Sequence, residues 1–284
     1  MPPVWPCRKL GTEGLPRPGG TGNLRPVELI VLGSGSNGNT ALVRAGRGGI
    51  LLDAGLGARK TLQRLAAHGI DPAEIDAVLL THEHGDHAGG LPVLLRSLRC
   101  PVYATRLTAD EVRGHDPRNA AADWRIFATG SSFTLGPFEV TAFSVPHDAH
   151  DPVGFTLRTI SASLALLTDL GHVNHSVVHH VTGVDCLFIE ANHDEHMLQA
   201  DTKRPFSIKQ RILSPHGHLS NRAAAELAAR ARTPRLQRVV LGHLSRDCNE
   251  PTLAVETVRG MLESTVTVVA AAQDEVTVVP GIGD

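Results

Sequence analysis

One short stretch constrains this chain more than any other. Val78, Leu79 and Leu80 form a continuous apolar run of the kind that makes a buried strand, and Leu91, Leu94, Leu95 and Leu98 recur at helical spacing beyond it. Between the two lie His82, Glu83, His84, Gly85, Asp86 and His87, three imidazoles and two carboxylates within six residues. The pattern predicts a strand-to-helix turn. On such a turn His82 and His84 can point together, while Asp86 and His87 begin a second group a few ångströms on. Imidazole and carboxylate are ligands for zinc and neighbouring first-row metals, so the spacing predicts two metal sites side by side.

Other candidate ligands follow apolar strands elsewhere. His147 comes after the strand-like run Phe138 to Val145, Asp169 after Ser163 to Thr168, His193 after Val184 to Glu190, and His243 after Arg238 to Gly242. In layered α/β folds ligands collect outside strand ends, so these scattered residues can converge. Ser220 is placed to cap an alanine-rich helix from Asn221 to Arg230, whose N-terminus then abuts His218. Backbone N–H groups at such an end favour anions, which makes Ser220 and Asn221 candidates for a substrate phosphate; a capped helix with an incidental histidine is the plainer alternative. Lys203, Arg204, Lys209 and Arg211 form a local basic segment able to pair with phosphates, although a solvated charged face also explains such a run.

Further histidines have ordinary explanations. His172, His175, His179 and His180 fall in a helix expected over 171–181 without an accompanying carboxylate or thiolate, and His68 sits at a helix C-terminus, where a cation is favoured. His115 is expected at the surface and His150 at a rim. The loop from Gly33 to Asn39 reads as a glycine-shaped turn in which no residue is predicted to be catalytic.

The 284 residues are 42% hydrophobic, ample for a buried core. A formal charge of −2 supplies no overall basic field, so affinity for nucleic acid has to come from a local patch. The four cysteines, Cys7, Cys100, Cys186 and Cys248, have no CxxC spacing, and Cys186 lies inside an apolar run, which suits a reducing compartment. Residues 1–26 are broken by proline and glycine and lack the apolar core of a signal peptide. They are expected to form a disordered tail, with 27–284 a single domain. No segment reaches membrane-spanning length, and a cytoplasmic location is expected.

The His-x-His-x-Asp-His run after a strand resembles that of the metallo-β-lactamase-fold hydrolases. The stretches Gly33 to Thr40, Pro146 to Ala149, Thr168 to Gly171, Glu190 to Asp194, Gly217 to Asn221 and Gly242 to Ser245 are similar to those of the YycJ/WalJ branch. The resemblance runs from about Glu28 to Leu262. It implies an α/β architecture, an αββα sandwich of two mixed sheets with helices outside. It also implies that His82, His84 and His147 hold one divalent metal, that Asp86, His87 and His243 hold a second, and that Asp169 bridges them. Zinc suits the histidine-rich shell, with manganese or iron as alternatives. Asp53 is implied to support the metal loop through hydrogen bonds rather than as a ligand.

By the same resemblance the reaction is hydrolysis by a metal-bridging hydroxide, and the substrate is DNA degraded from its 5′ end. Asp86, His218 and His193 are then the residues expected to act in the reaction, the two histidines on the leaving 3′-oxygen. Lys209 and Arg211, with Ser220 and Asn221, are the expected substrate contacts. Asp201 to Phe206 and Arg246 to Asn249 depart from the branch, and Cys248 is an ordinary thiol. A hydrolase of cyclic phosphodiesters or thioesters would use the same ligands, and a metal-binding module without turnover is the remaining alternative.

Overall fold

The computed structural model describes residues 26–283. The tail expected over 1–26 therefore lies outside the described residues, apart from Pro26.

Alternation along strands whose two faces are both buried builds four layers. The first sheet begins with β1 (Val27–Gly33), β2 (Thr40–Ala45) and β3 (Gly49–Leu52), paired antiparallel, and continues with β4 (Ile75–Leu79), β5 (Val102–Thr105) and β6 (Trp124–Phe127), paired parallel. The second repeats that plan. Its strands β7 (Ser132–Leu135), β8 (Phe138–Ser144), β9 (Val153–Arg158) and β10 (Ser163–Leu167) are antiparallel, and β11 (Cys186–Glu190), β12 (Arg238–Gly242) and β13 (Thr267–Ala270) extend it in parallel. The last strand, β14 (Thr277–Ile282), returns to pair antiparallel with β1.

In β1, Leu29 and Val31 point into the core between the sheets, while Ile30 and Leu32 point to the helices outside. In β11 the same period sends Cys186 and Phe188 inward and Leu187 and Ile189 outward. Helices α1 (Ala58–Ala67), α2 (Gly85–Ala88), α3 (Leu91–Leu94) and α4 (Arg106–His115) belong to the first half. Leu65, Leu91, Leu94 and Val112 cover that sheet from outside. Helices α5 (His175–Val181), α6 (Glu195–Ala200), α7 (Phe206–Ile212), α8 (Asn221–Ala231) and α9 (Pro251–Arg259) belong to the second half, where Val177, Leu227 and Val258 do the same. This is the αββα sandwich. Each fully buried Leu or Phe contributes about 1.5–3 kcal/mol relative to exposure.

Two local readings shift. The helix expected from Gly171 begins only at His175, because the Asn174 side chain caps it by accepting from the Val177 N–H. The apolar run expected to be one helix over Leu91 to Leu98 is helical only through Leu94 and then turns. Among the described residues no helix is long and apolar enough to cross a membrane.

Candidate metal centre

Strand β4 delivers the histidine turn to the rim where the two sheets meet, and backbone hydrogen bonds fix it there. Asp53 N–H donates to Leu79 O at 2.8 Å, Ala54 N–H to His87 O at 2.7 Å, and Asn39 N–H to Asp86 O at 2.7 Å. Gly55 is needed for that close approach: a Cβ on it would stand 1.6 Å from the Asp86 carbonyl oxygen.

Chain segments far apart in sequence then meet. His84 Nδ1 lies 3.1 Å from His82 Nε2 and 3.3 Å from His147 Nε2. Asp169 Oδ2 is 3.3 Å from His147 Nε2 and 3.8 Å from His82 Nε2. His82, His84, His147 and Asp169 each offer one donor atom, and all four atoms lie within 4.8 Å of one another. Around the other oxygen of Asp169 stand His87 Nε2 at 3.3 Å and His243 Nδ1 at 2.8 Å. Asp86 Oδ2 is 3.5 Å from His87 Nε2 and 3.7 Å from His243 Nε2. A second set within 4.8 Å joins Asp169, His243 and His218, so Asp169 belongs to both. The family resemblance groups Asp86 and His87 with His243 and leaves His218 apart; the structure brings His218 into the same tight group.

The imidazoles are oriented from behind. His82 Nδ1 is 2.9 Å from Thr81 Oγ1, His147 Nδ1 is 3.1 Å from Gly217 O, and His87 Nδ1 is 2.8 Å from Asp53 Oδ2. In each the remaining ring nitrogen faces the cluster, the arrangement that fixes a ligand's tautomer and direction. Asp53 also accepts from the N–H and hydroxyl of Thr81 at 2.8 and 2.9 Å, and touches none of the other donors directly. Asp53 and His243 are the two non-glycine residues with positive φ, 57° and 54°, among the described residues. Backbone strain of this kind persists only where surroundings impose it.

The donor set fits divalent cations. Asp169 Oδ1 and His243 Nδ1 are buried and, despite standing 2.8 Å apart, are not aligned to hydrogen-bond each other or anything else. Lone pairs that converge without a shared proton are what a cation satisfies. Burial opposes ionisation of Asp169, but His243 and His87 outweigh it and hold its carboxyl well below the usual range. Burial likewise opposes charge on His87, but Asp169 and Asp53 push it well above the ordinary imidazole value, whereas burial drives His82 well below.

Three features were not legible in the sequence. Glu190, fully buried at the end of β11, puts Oε1 2.7 Å from His218 Nδ1 and 3.0 Å from His243 Nδ1, while Oε2 accepts from the N–H groups of Leu170 at 2.8 Å and Leu219 at 3.1 Å. Asn39 places its Nδ2 3.0 Å from His87 Nε2. Ser34, bonded to Asn39, accepts from the N–H of His243 at 2.7 Å. The glycine loop therefore braces two histidines at once, a role hidden because its partners lie 48 and 209 positions away.

The expected accessory residues divide. His218 is half-open, its side chain 21% exposed. Burial lowers its tendency to hold a proton, but Glu190 outweighs that and raises it. His193 is 1% exposed with neither ring nitrogen bonded, and it lines a cavity of about 310 Å³ together with His218. Burial lowers its tendency to hold a proton. Ser220 caps α8 by accepting from Ala223 N–H at 3.2 Å and donates to Glu195 at 2.9 Å. Asn221 is buried, exchanging two amide hydrogen bonds with Asn249, and its N–H goes to His193 O at 2.9 Å. Their polar groups are thus spent inside the protein, unlike the phosphate contact expected of them. Arg211 reaches Asp148 at 2.6 Å beside His147, and Lys209 donates to Gln199 O at 2.9 Å on the exposed helix α7.

The family model described as Beta-lactamase superfamily domain matches residues 49–244. The exodeoxyribonuclease YycJ of Bacillus anthracis is 37% identical over 84% of this chain and 89% of its own length. The exodeoxyribonuclease WalJ of Streptococcus pneumoniae is 37% identical over 79% of this chain and 84% of its own. Two solved structures share the fold. The metallo-beta-lactamase fold protein YhfI from Bacillus subtilis has a TM-score of 0.67 at 18% identity, covering 90% of this chain and 100% of that one. Zn(2+)-bound PqqB from Methylobacterium extorquens has a TM-score of 0.67 at 19% identity, covering 88% and 99%.

Proposed function

Because this chain belongs to the metallo-β-lactamase superfamily, in the branch of the exodeoxyribonucleases YycJ and WalJ, we propose that it is a metal-dependent phosphodiesterase that shortens DNA from the 5′ end. The observation that carries the reading is the pairing of Glu190 with His218 at the edge of a doubled donor set. In the arrangement we favour, His82, His84 and His147 would hold one cation and Asp86, His87 and His243 the other, with Asp169 available to both. Zinc fits the histidine-rich shell best, with manganese or iron as alternatives. Two divalent ions there would supply a nucleophile at neutral pH and offset charge on the phosphate.

The remaining work falls to the chain's own side chains. Glu190 binds Nδ1 of His218, fixes its ring and favours its protonated form. Nε2 of His218 then has a proton to give to the departing 3′-oxygen, the acid half of a phosphodiester cleavage. His193, which lines the adjoining cavity together with His218, is the second histidine we assign to that oxygen. Arg211, held beside His147 by Asp148, is the cation we assign to the phosphate backbone, with Lys209 two residues earlier on α7; together they would supply the local basic contact that the overall charge does not. The cysteines suit action in a reducing, cytoplasmic setting.

The test compares degradation of linear DNA with hydrolysis of bis(p-nitrophenyl) phosphate, after chelation and after metal is restored. Metal-dependent loss of DNA supports the reading. Turnover of the small diester with none of DNA assigns the chain to the small-molecule hydrolases instead.

A further inference from the structure

The parallel ladder between β11 and β12 ends at the pair Glu190 and Gly242, so His243 has left the sheet while still buried. Its φ of 54° lies in the left-handed region, which the Cβ of an L-residue disfavours. Buried backbone N–H and C=O groups must nevertheless find partners. For His243 both partners are side chains from distant segments. Its N–H donates to Ser34 Oγ at 2.7 Å, and its C=O accepts from Asn192 Nδ2 at 3.0 Å.

Each of these partners is itself held. Ser34 gives its hydroxyl hydrogen to Asn39 Oδ1 at 3.1 Å, which leaves its lone pairs for His243. Asn192 sends its N–H to Leu219 O at 2.8 Å, and its C=O accepts from the N–H of Ser245 at 2.7 Å. Two residues before Asn192, Glu190 puts Oε1 3.0 Å from His243 Nδ1. The segment from Glu190 to Asn192 therefore meets both the ring and the backbone of one histidine. Asp53, the other residue with positive φ, differs in that its N–H rests on the backbone of Leu79.

We propose that Asn192 and Ser34 are positioning residues for one of the two cations: they clamp His243 in the left-handed conformation that sets its Nδ1 2.8 Å from Asp169 Oδ1. Releasing either end lets the residue relax toward negative φ, and that rotation carries the ring away from the shared carboxylate. Neither bond involves His82, His84 or His147, so the clamp acts on one cation and spares the other. This assignment rests on the two-cation part of the function proposed above.

The experiment strips the full chain of metal and titrates it with zinc against a chromophoric chelator, for wild type, Asn192→Leu, Ser34→Ala, His84→Ala and His243→Ala, with urea unfolding of each metal-free protein. Wild type is expected to show two binding constants, and the two histidine variants tell which constant belongs to which group of ligands. In Asn192→Leu the constant lost in His243→Ala is expected to weaken about 10–100-fold, the usual effect of removing a group that orients a ligand from behind, while the other stays at its wild-type value. Ser34→Ala acts at the other end of the same residue and is expected to give the same one-sided loss; it decides the matter if Asn192→Leu does not unfold cooperatively. Equal weakening of both constants would make the clamp a general brace of the fold and overturns the assignment, as does no weakening of either. Fewer than two zinc ions bound by wild type sinks the two-cation reading, and the assignment with it.

Discussion

Glu190 Oε1 stands 2.7 Å from His218 Nδ1, so an acid from the end of one strand sets the direction of a histidine 28 positions later. Substituting His218 by alanine is expected to leave metal content intact and to lower DNA cleavage by about 10²–10⁴-fold, the usual contribution of a positioned general acid. Glu190→Gln keeps the shape but removes the charge that favours the proton, and a smaller loss is expected. Steady-state cleavage with elemental analysis of each variant checks both; loss of metal in His218→Ala would make that residue a ligand.

Asp53 is buried and fully engaged by Thr81 and His87. Asp53→Ala frees the His87 ring, and metal affinity is expected to fall about 10–100-fold, as for other groups that orient a ligand from behind. Competition with a chromophoric chelator measures this. Unchanged affinity would show that Asp53 does not orient a metal-binding histidine.

Gly55→Ala places a methyl against the Asp86 carbonyl, at 1.6 Å before relaxation. The contact is with backbone, so the metal loop itself has to move, and a destabilisation of about 1–3 kcal/mol is expected together with weaker metal binding. Urea unfolding of wild type and variant decides it.

Much of the fold was legible. Period-two alternation marks most strands of both sheets, and the density of ligands around His82 locates the centre from residue types alone. What escaped depends on contacts that sequence spacing does not encode. Glu190 reads as the end of an apolar strand, and only the parallel pairing of β11 with β12 shows that it faces His243. Asn39 and Ser34 read as turn formers. Conversely, Asn221 carried a phosphate-binding pattern, but a second amide, Asn249, folds onto it and consumes both of its bonds.

Burial pushes the Cys186 thiol up to about 12 and the Cys100 thiol, which is less deeply buried, up to about 11. In the unfolded chain a cysteine loses its proton near pH 8.5. Above that point the unfolded state binds fewer protons than the folded one, so stability is expected to decline as pH rises from about 8.5 toward the folded values. Urea midpoints at pH 7.5 and 10 test the sign. At pH 8 neither thiol is expected to react with a disulfide reagent until the protein is unfolded.

Arg211→Ala removes a cation beside the centre. It is expected to raise KM for DNA several-fold and to reduce the slope of log affinity against log salt by about 1, with hydrolysis of a small diester little affected. A salt titration of DNA binding checks it.

Metal-dependent digestion from the 5′ end can be followed on DNA labelled at its 5′ or 3′ end with protein of known metal content, comparing wild type with Asp86→Ala and His218→Ala. Stepwise release from the 5′ end is expected of wild type, none of Asp86→Ala, and a fully metallated but nearly inactive His218→Ala. Intact DNA after incubation with a fully metallated wild type would contradict the nuclease reading.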